Sequence, residues 1–434
     1  MEGEMMRCAI FLVLNYLVLI ASHPLAAQQP VDSIEPRAVI AGVRQVLQQD
    51  YVYPEKAETV VQALENKRQA GRYSGSLSAE ELADLLSQDL VEITGDFHFH
   101  LGYAPDAEVE RDTAQIDVQT LQKNNFEFQR VEILPGNVGY LRLDYFAATD
   151  DVFELATSAM EFLGNSDALI LDLRYNRGGH LETAQLIMSY LFPGDRDQEL
   201  FDYFYNEDGK TIRRGQWVLA GLPGKRMPDI PIFVLTSTTT FSAGEWMAFS
   251  LSELERATVV GQRTAGAAHP VDLKRIDDNF VMQVPIGIVS GPVSGTDFEG
   301  SGVAPDHEVP SHRALEMAHK LALEKLVETS PAGDARWYLP LLDKADVTPR
   351  EIERDIRDVQ GVYEGRQVTI ESGVPMYTWR DRFALALEPL GNGLFGVEGT
   401  DDYRFRLVRK NGKVTAMERL FKDGRSRVYR RIEE

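Results

Sequence analysis

Cysteine is nearly missing. The 434 residues hold a single one, Cys8, so no disulfide framework can form within the chain. Cys8 sits in an amino-terminal segment that reads as a removable leader, which leaves the mature chain no thiol for catalysis. Blocks of Lys and Arg are missing as well. The chain carries 45 Lys and Arg against 67 Asp and Glu, a formal net charge of −22. Such a surface repels nucleic acid and anionic membranes, so neither is expected as a partner. No apolar run reaches the ~20 residues that a membrane-spanning helix needs. There is no internal repeat and no low-complexity tract. What is present is globular material, 44% hydrophobic and 26% charged, enough for two or three domains with a sizeable core.

The amino terminus has the order of a targeting segment. Arg7 precedes an apolar run from Ala9 to Ala21, broken only by Asn15, and the small pair Ala26-Ala27 is followed by the polar Gln28-Gln29-Pro30. Residues 1–27 are therefore expected to be a signal peptide, with the mature chain starting near Gln28, exported to the periplasm or secreted, and not inserted in the membrane after cleavage. Leu25 at the −3 position is a poor fit, and an uncleaved anchor is the alternative. The acids Glu2 and Glu4 point to a true start at Met5 or Met6.

Periodicity divides the rest. Residues 28–110 read as a helical domain: apolar positions recur at three and four in Ala38–Leu47, Thr59–Leu64 and Glu80–Leu90, with Ser78 placed as an N-cap. Residues 111–330 alternate short apolar strands with helices. The runs Ala168–Leu173 and Ile232–Leu235 are continuous, as expected of buried parallel strands, and the whole reads as an α/β layer fold. After a linker at 331–346, residues 347–434 change to Gly-punctuated strands with turns at Asn392-Gly393, Asn411-Gly412 and Asp423-Gly424, an antiparallel meander or barrel.

Chemistry concentrates in four segments. Thr240-Phe241-Ser242-Ala243-Gly244-Glu245 lies between a strand and a helix. A serine on such a turn has its hydroxyl beside helix N-terminal amides that can stabilise an oxyanion. The plain reading is a capping box, Ser242 with Glu245 three residues on. Gly178-Gly179 follows the strand ending at Leu173, where tandem glycines let backbone amides approach a ligand; a tight turn explains them equally well. Asp96-Phe97-His98-Phe99-His100 would put both histidines on one strand face, but no third ligand at metal-like spacing follows, so no metal is expected. Glu299-Gly300-Ser301-Gly302-Val303-Ala304-Pro305-Asp306 is a Gly-rich turn with a flanking carboxylate.

Taken in order, these segments resemble the tail-specific, or C-terminal processing, serine peptidases, in the branch with tricorn-like proteases and interphotoreceptor retinoid-binding protein modules. Val131–Leu141 and Val260-Gly261-Gln262-Arg263-Thr264-Ala265-Gly266 add to the match, which spans about Val39 to Val309 and leaves the meander outside. The resemblance implies a crotonase/Clp-protease-like α/β core with a helical N-terminal domain and a small antiparallel β C-terminal domain. It implies Ser242 as nucleophile, with Ala243 and one of Gly178 and Gly179 as oxyanion donors. Many members place a catalytic lysine just after the Gly-x-x-Thr-x-Gly motif. Here that place is Ala267, then Ala268, and no lysine follows until Lys274. The chain is instead similar to members in which a first-domain histidine and a glutamate complete the site, implying His98 and Glu299. The interval Leu101 to Val131 is too short for the PDZ domain of many members. The implied activity is hydrolysis of polypeptide through an acyl-enzyme, without a cofactor; self-association into a homo-oligomer is left open. The alternative is a non-catalytic module of the same superfamily that binds a hydrophobic ligand. A third is an interaction module in which the carboxy-terminal meander recruits a partner.

Overall fold

A computed structural model of the protein describes residues 34–105, 118–195, 197–207, 210–329, 334–342, 347–379 and 384–432. The leader read at 1–27, with Cys8, lies outside them, as does most of the polar stretch before Lys123. No helix among the described residues is long and apolar enough to cross a membrane. The chain forms two compact units. One comprises the residues up to Glu132 together with Tyr140–Asn165 and Leu169–Ala314; the other comprises Ile133–Gly139, Ser166–Ala168 and Leu315–Glu434.

The first unit opens with helices α1 (Pro36–Asp50), α2 (Ala57–Gln69) and α3 (Ala79–Thr94). The residues at helical spacing are the buried ones: Val39, Ile40, Val43, Val46 and Leu47 on α1, then Val60, Val61 and Leu64 on α2. Ser78 and Glu81 close a reciprocal capping box on α3, which ends at Gly95 in the left-handed region with φ 76°. Strand β1 (His100–Tyr103) follows, then the short helix α4 (Val118–Lys123).

Strands β2 (Phe128–Leu134) and β3 (Val138–Leu143), helix α5 (Asp150–Leu163), strand β4 (Ala168–Asp172) and helix α6 (Leu181–Ser189) come next. The hairpin β5 (Glu199–Glu207) and β6 (Lys210–Trp217) leads to β7 (Ile232–Thr236), α7 (Ala243–Glu253) and β8 (Thr258–Gly261). Then come β9 (Val271–Arg275), β10 (Phe280–Pro285), β11 (Gly287–Ser290) and β12 (His307–Glu308). A six-stranded sheet has the order β12-β8-β7-β4-β3-β2. β4, β7, β8 and β12 run parallel, and every residue of β4 and β7 is buried, as their continuous apolar runs require.

Two further sheets were not evident in the sequence, β1-β10-β9 and β11-β5-β6. The first matters for the site. β1 pairs antiparallel with β10, His100 opposite Gln283, and Phe280, Met282 and Val284 join Phe99 and Leu101 in the core of the helical region. Segments some 180 residues apart in the chain are thereby held side by side.

The second unit holds α8 (Ala314–Thr329, except its first residue), α9 (Ala335–Leu342) and α10 (Pro349–Val359). The segment expected as a linker thus contains a helix. Eight antiparallel strands follow in chain order, β13 (Gly361–Tyr363), β14 (Arg366–Glu371), β15 (Val374–Trp379), β16 (Ala384–Gly391), β17 (Leu394–Val397), β18 (Thr400–Lys410), β19 (Lys413–Phe421) and β20 (Ser426–Arg430). The meander closes on itself: Tyr363 bridges Arg431, the Ile432 amide donates to Val362 O at 2.9 Å, and the Glu364 amide to Arg430 O at 3.1 Å. Tyr363, Phe395, Phe405 and Met417 are buried in the barrel core, and Asp355 on α10 accepts from the Gly393 amide at 2.7 Å.

Candidate active site

The turn between β7 and α7 lifts Ser242 out of the sheet. Its φ of 50° and ψ of −121° are strained for a residue with a Cβ. Such strain at a strand-to-helix turn is what exposes a nucleophile and presents the following amide. The Glu245 carboxylate holds the turn. It accepts from the Ser242 amide at 2.9 Å, the Thr264 hydroxyl at 2.5 Å, the Gly266 amide at 2.6 Å and the Ala267 amide at 2.9 Å. The capping-box glutamate is therefore more than a cap: fully buried, it ties the serine turn to the 264–267 loop. Burial pushes its carboxyl up to about 7, against the pull of its four donors.

The Gly178-Gly179 turn stands against this serine. A Cβ on Gly178 would lie 2.7 Å from Ser242 Cβ and 3.2 Å from the Ala243 amide nitrogen. Both glycines have positive φ, 91° and 118°, so the close approach needs glycine twice over. The two differ as donors. The Gly178 amide is spent on Asn176 Oδ1 at 2.9 Å. The amides of Gly179 and Ala243 have no acceptor among the described residues.

His98 is not on a strand with His100. It lies in the turn before β1, and its amide donates to Asp96 Oδ1 at 2.9 Å. The same oxygen is 3.1 Å from His98 Nδ1. The His98 ring packs with its centroid 5.2 Å from that of Phe241, the residue before Ser242. Its Nε2 is buried with no partner among the described residues.

Asp96 also reaches His269, whose Nδ1 is 2.6 Å from Oδ2, while His269 Nε2 is 3.4 Å from the Tyr53 hydroxyl. Glu299 lies farther from His98 than Asp96 does: one oxygen is 3.7 Å from His269 Nδ1 and 2.6 Å from the Ala268 amide, and the other is buried without a partner among the described residues. Burial raises the Asp96 carboxyl, but hydrogen bonds from His269 and His98 outweigh it and hold the group well below the usual carboxylate range. Burial lowers His269, yet its bond to Asp96 and the charges of Asp96 and Glu299 leave it above its ordinary value. Burial, then the Asp96 charge, raises Glu299. Asp96, His98 and Glu299 offer donor atoms within 4.8 Å of one another; Asp96 is engaged with two imidazoles and one Glu299 oxygen with a backbone amide, while His98 Nε2 and the second Glu299 oxygen have no partner among the described residues.

Of the residues expected from sequence, Ser242, Ala243, Gly178 and Gly179 converge on one turn, and His98 packs against Phe241 beside it. The sequence alone does not mark His269 or the hub role of Glu245. His269 follows Ala267-Ala268, where a serine–lysine member would carry its lysine. Lys274 lies on β9 and pairs with Asp272 at 2.7 Å and Asp50 at 3.1 Å.

Residues 137–309 match the model of peptidase family S41, and residues 34–131 match the "N-terminal domain of Peptidase_S41 in eukaryotic IRBP". A carboxyl-terminal-processing protease of Picosynechococcus sp. is 30% identical over 173 residues, covering 40% of this chain and 39% of that one. A carboxy-terminal processing protease of Bacillus subtilis is 28% identical over 183 residues, covering 42% of this chain and 35% of that one. The chain thus spans less than two-fifths of the length of these two relatives. Among solved structures, a lipoprotein from Streptococcus agalactiae aligns with a TM-score of 0.47 at 17% identity, over 69% of this chain and 99% of that one. The tricorn protease aligns at 0.43 and 14%, over 70% of this chain and 38% of that one. The two matches lie in order along residues 34–309, which thus carry the N-terminal domain and the peptidase region of the S41 family.

Proposed function

We propose that the protein is an endopeptidase that cleaves polypeptide substrates through an acyl-enzyme on Ser242. The observation that carries this reading is the strained Ser242 turn facing Gly178, with two unspent amides beside it. In the proposed cycle His98 holds its Nδ1 proton toward Asp96 and takes the serine proton on Nε2. Ser242 Oγ bonds to the scissile carbonyl carbon, and the resulting oxyanion accepts from the Ala243 and Gly179 amides. His98 then gives its Nε2 proton to the leaving amine as the C–N bond breaks. Water, deprotonated by the same nitrogen, bonds to the acyl carbon, and His98 returns that proton to Ser242 Oγ as the ester bond breaks and the acid is released. Asp96 is the carboxylate in hydrogen-bonding reach of His98; Glu299, the glutamate implied by family resemblance, completes the cluster from farther off, beside His269. Lys274 supports a histidine base by exclusion: burial opposes its charge, but Asp272 and Asp50 keep its pKa above the ordinary lysine value, and a base must be neutral to act.

A crotonase-like ordering of the core and export to the periplasm or beyond belong to the same proposal, the latter resting on the leader pattern at 1–27. The test is Ser242→Ala assayed on an unstructured protein, with a fluorophosphonate probe in parallel. Loss of cleavage and of labelling, with the thermal transition retained, is expected. Wild-type cleavage by the alanine variant would remove Ser242 as nucleophile.

A further inference from the structure

We infer that His269 is a positioning residue for the base His98, acting through Asp96; this rests on the peptidase reading above. Asp96 is 3% exposed and lies between two imidazoles, one on each carboxylate oxygen, with His98 3% and His269 4% exposed. A carboxylate bonded to His98 alone could swing about its Cβ–Cγ bond, and the His98 ring would follow it. The 2.6 Å bond from His269 to the second oxygen fixes the carboxylate plane. Burying an ionised carboxylate is expensive unless it is paired and hydrogen-bonded, and His269 answers both needs.

His269 is itself held. Its ring meets Tyr53 edge-on, centroids 5.7 Å apart. The groups that face it are Asp96 from the turn after α3, Tyr53 from the segment before α2, and Glu299 and Asp297 from the loop before β12. The 264–269 segment therefore braces both halves of the site. Thr264, Gly266 and Ala267 reach the serine turn through Glu245, and His269 reaches the base through Asp96. A shift in this segment would move nucleophile and base together.

The experiment compares His269→Asn with His269→Gln. The Asn amide nitrogen overlays Nδ1 and can still donate to Asp96; the Gln amide overlays Nε2 and cannot. Both fill the pocket similarly, so a purely structural role would not separate them. The expected result is a kcat within about threefold of wild type for His269→Asn and a loss of roughly 10- to 100-fold for His269→Gln, with KM little changed in both, the scale seen when a supporting hydrogen bond behind a working histidine is removed. Nitrogen-15 NMR of His98 gives a second readout that does not depend on turnover. It should show the Nδ1–H tautomer in wild type and His269→Asn, and mixed tautomers in His269→Gln. Equal kcat and an unchanged His98 tautomer in all three would overturn the inference. If Ser242→Ala keeps wild-type cleavage, the peptidase reading fails by itself, and the tautomer comparison still decides whether His269 sets His98.

Discussion

Gly178 and Ser242 face each other at a distance that leaves no room for a side chain on the glycine. The nearest atom to a Cβ built there is the serine Cβ at 2.7 Å, followed by the Phe241 carbonyl oxygen at 3.1 Å. Gly178→Ala is expected to displace Ser242 and its neighbouring amide. The φ of 91° adds strain of about 1–3 kcal/mol. A misplacement near 1 Å costs on the order of 100-fold in rate, so kcat should fall by about that much while KM changes little. Steady-state kinetics and a melting curve check it, and wild-type kcat would mean that the turn relaxes freely.

Glu245→Gln should uncouple the serine turn from the 264–267 loop. The amide nitrogen of Gln cannot accept from the donors that meet Glu245, so at least one buried N–H loses its acceptor. The expected cost is about 3 kcal/mol of stability, together with a drop in kcat. Chemical denaturation at neutral pH measures the first. No change in either would show that the loop is held by other contacts.

Lys274→Ala should leave turnover near wild type. Its Nζ is committed to Asp272 and Asp50, and the pair contributes at most about 1 kcal/mol at a partly exposed site. Loss of activity without loss of fold would revive a serine–lysine mechanism.

The Asp96–His269 pair predicts a window of extra stability. Asp96 has a depressed value in the folded state, so its contribution is complete above the ordinary carboxylate range near ~3.9 and is lost as pH falls through the depressed value. His269 has a raised value, so its contribution is complete below ~6.5 and is lost as pH rises through the raised value. The difference in melting temperature between wild type and the double variant Asp96→Asn, His269→Ala should therefore be largest between about pH 4 and 6.5 and shrink on either side. A difference that does not vary with pH would mean the pair is not ionic.

The carboxy-terminal barrel should fold alone. Residues 347–434 contain their own buried core and α10, whose Asp355 bonds the Gly393 turn and Arg409. A fragment of these residues is expected to melt cooperatively, as followed by circular dichroism. Absence of a transition would show that the barrel needs the preceding helices.

The sequence made some of this legible because the signals were local. Helical spacing marked the cores of α1 to α3, continuous apolar runs marked β4 and β7, and Asn-Gly and Asp-Gly pairs marked the hairpins of the barrel. The motif order around Ser242 gave the family. Strand β9 stayed hidden because its residues are largely half-buried and mixed, Val271-Asp272-Leu273-Lys274-Arg275, and β5 because its buried pair Leu200-Phe201 is adjacent rather than alternating. His269 stayed hidden for a different reason. Its partner Asp96 is 173 residues away, and the two regions meet only in the folded chain, where β1 pairs with β10. Asp96 itself is visible in the sequence but reads as flanking material, since nothing in a one-dimensional string separates a carboxylate that caps a turn from one that also orients a ring.

The closure of the barrel bears on how such a chain can be assembled from parts. Val362 and Ile432 are hydrogen-bonded neighbours, so the points where the polypeptide enters and leaves the barrel lie side by side. A module with adjacent ends can be gained, lost or relocated as a unit, because its flanks need not be spread apart to receive it. Among the described residues the first and last strands are hydrogen-bonded to each other at 362–364 and 430–432, so the stretch of edge where they meet is already occupied and closed to an added strand.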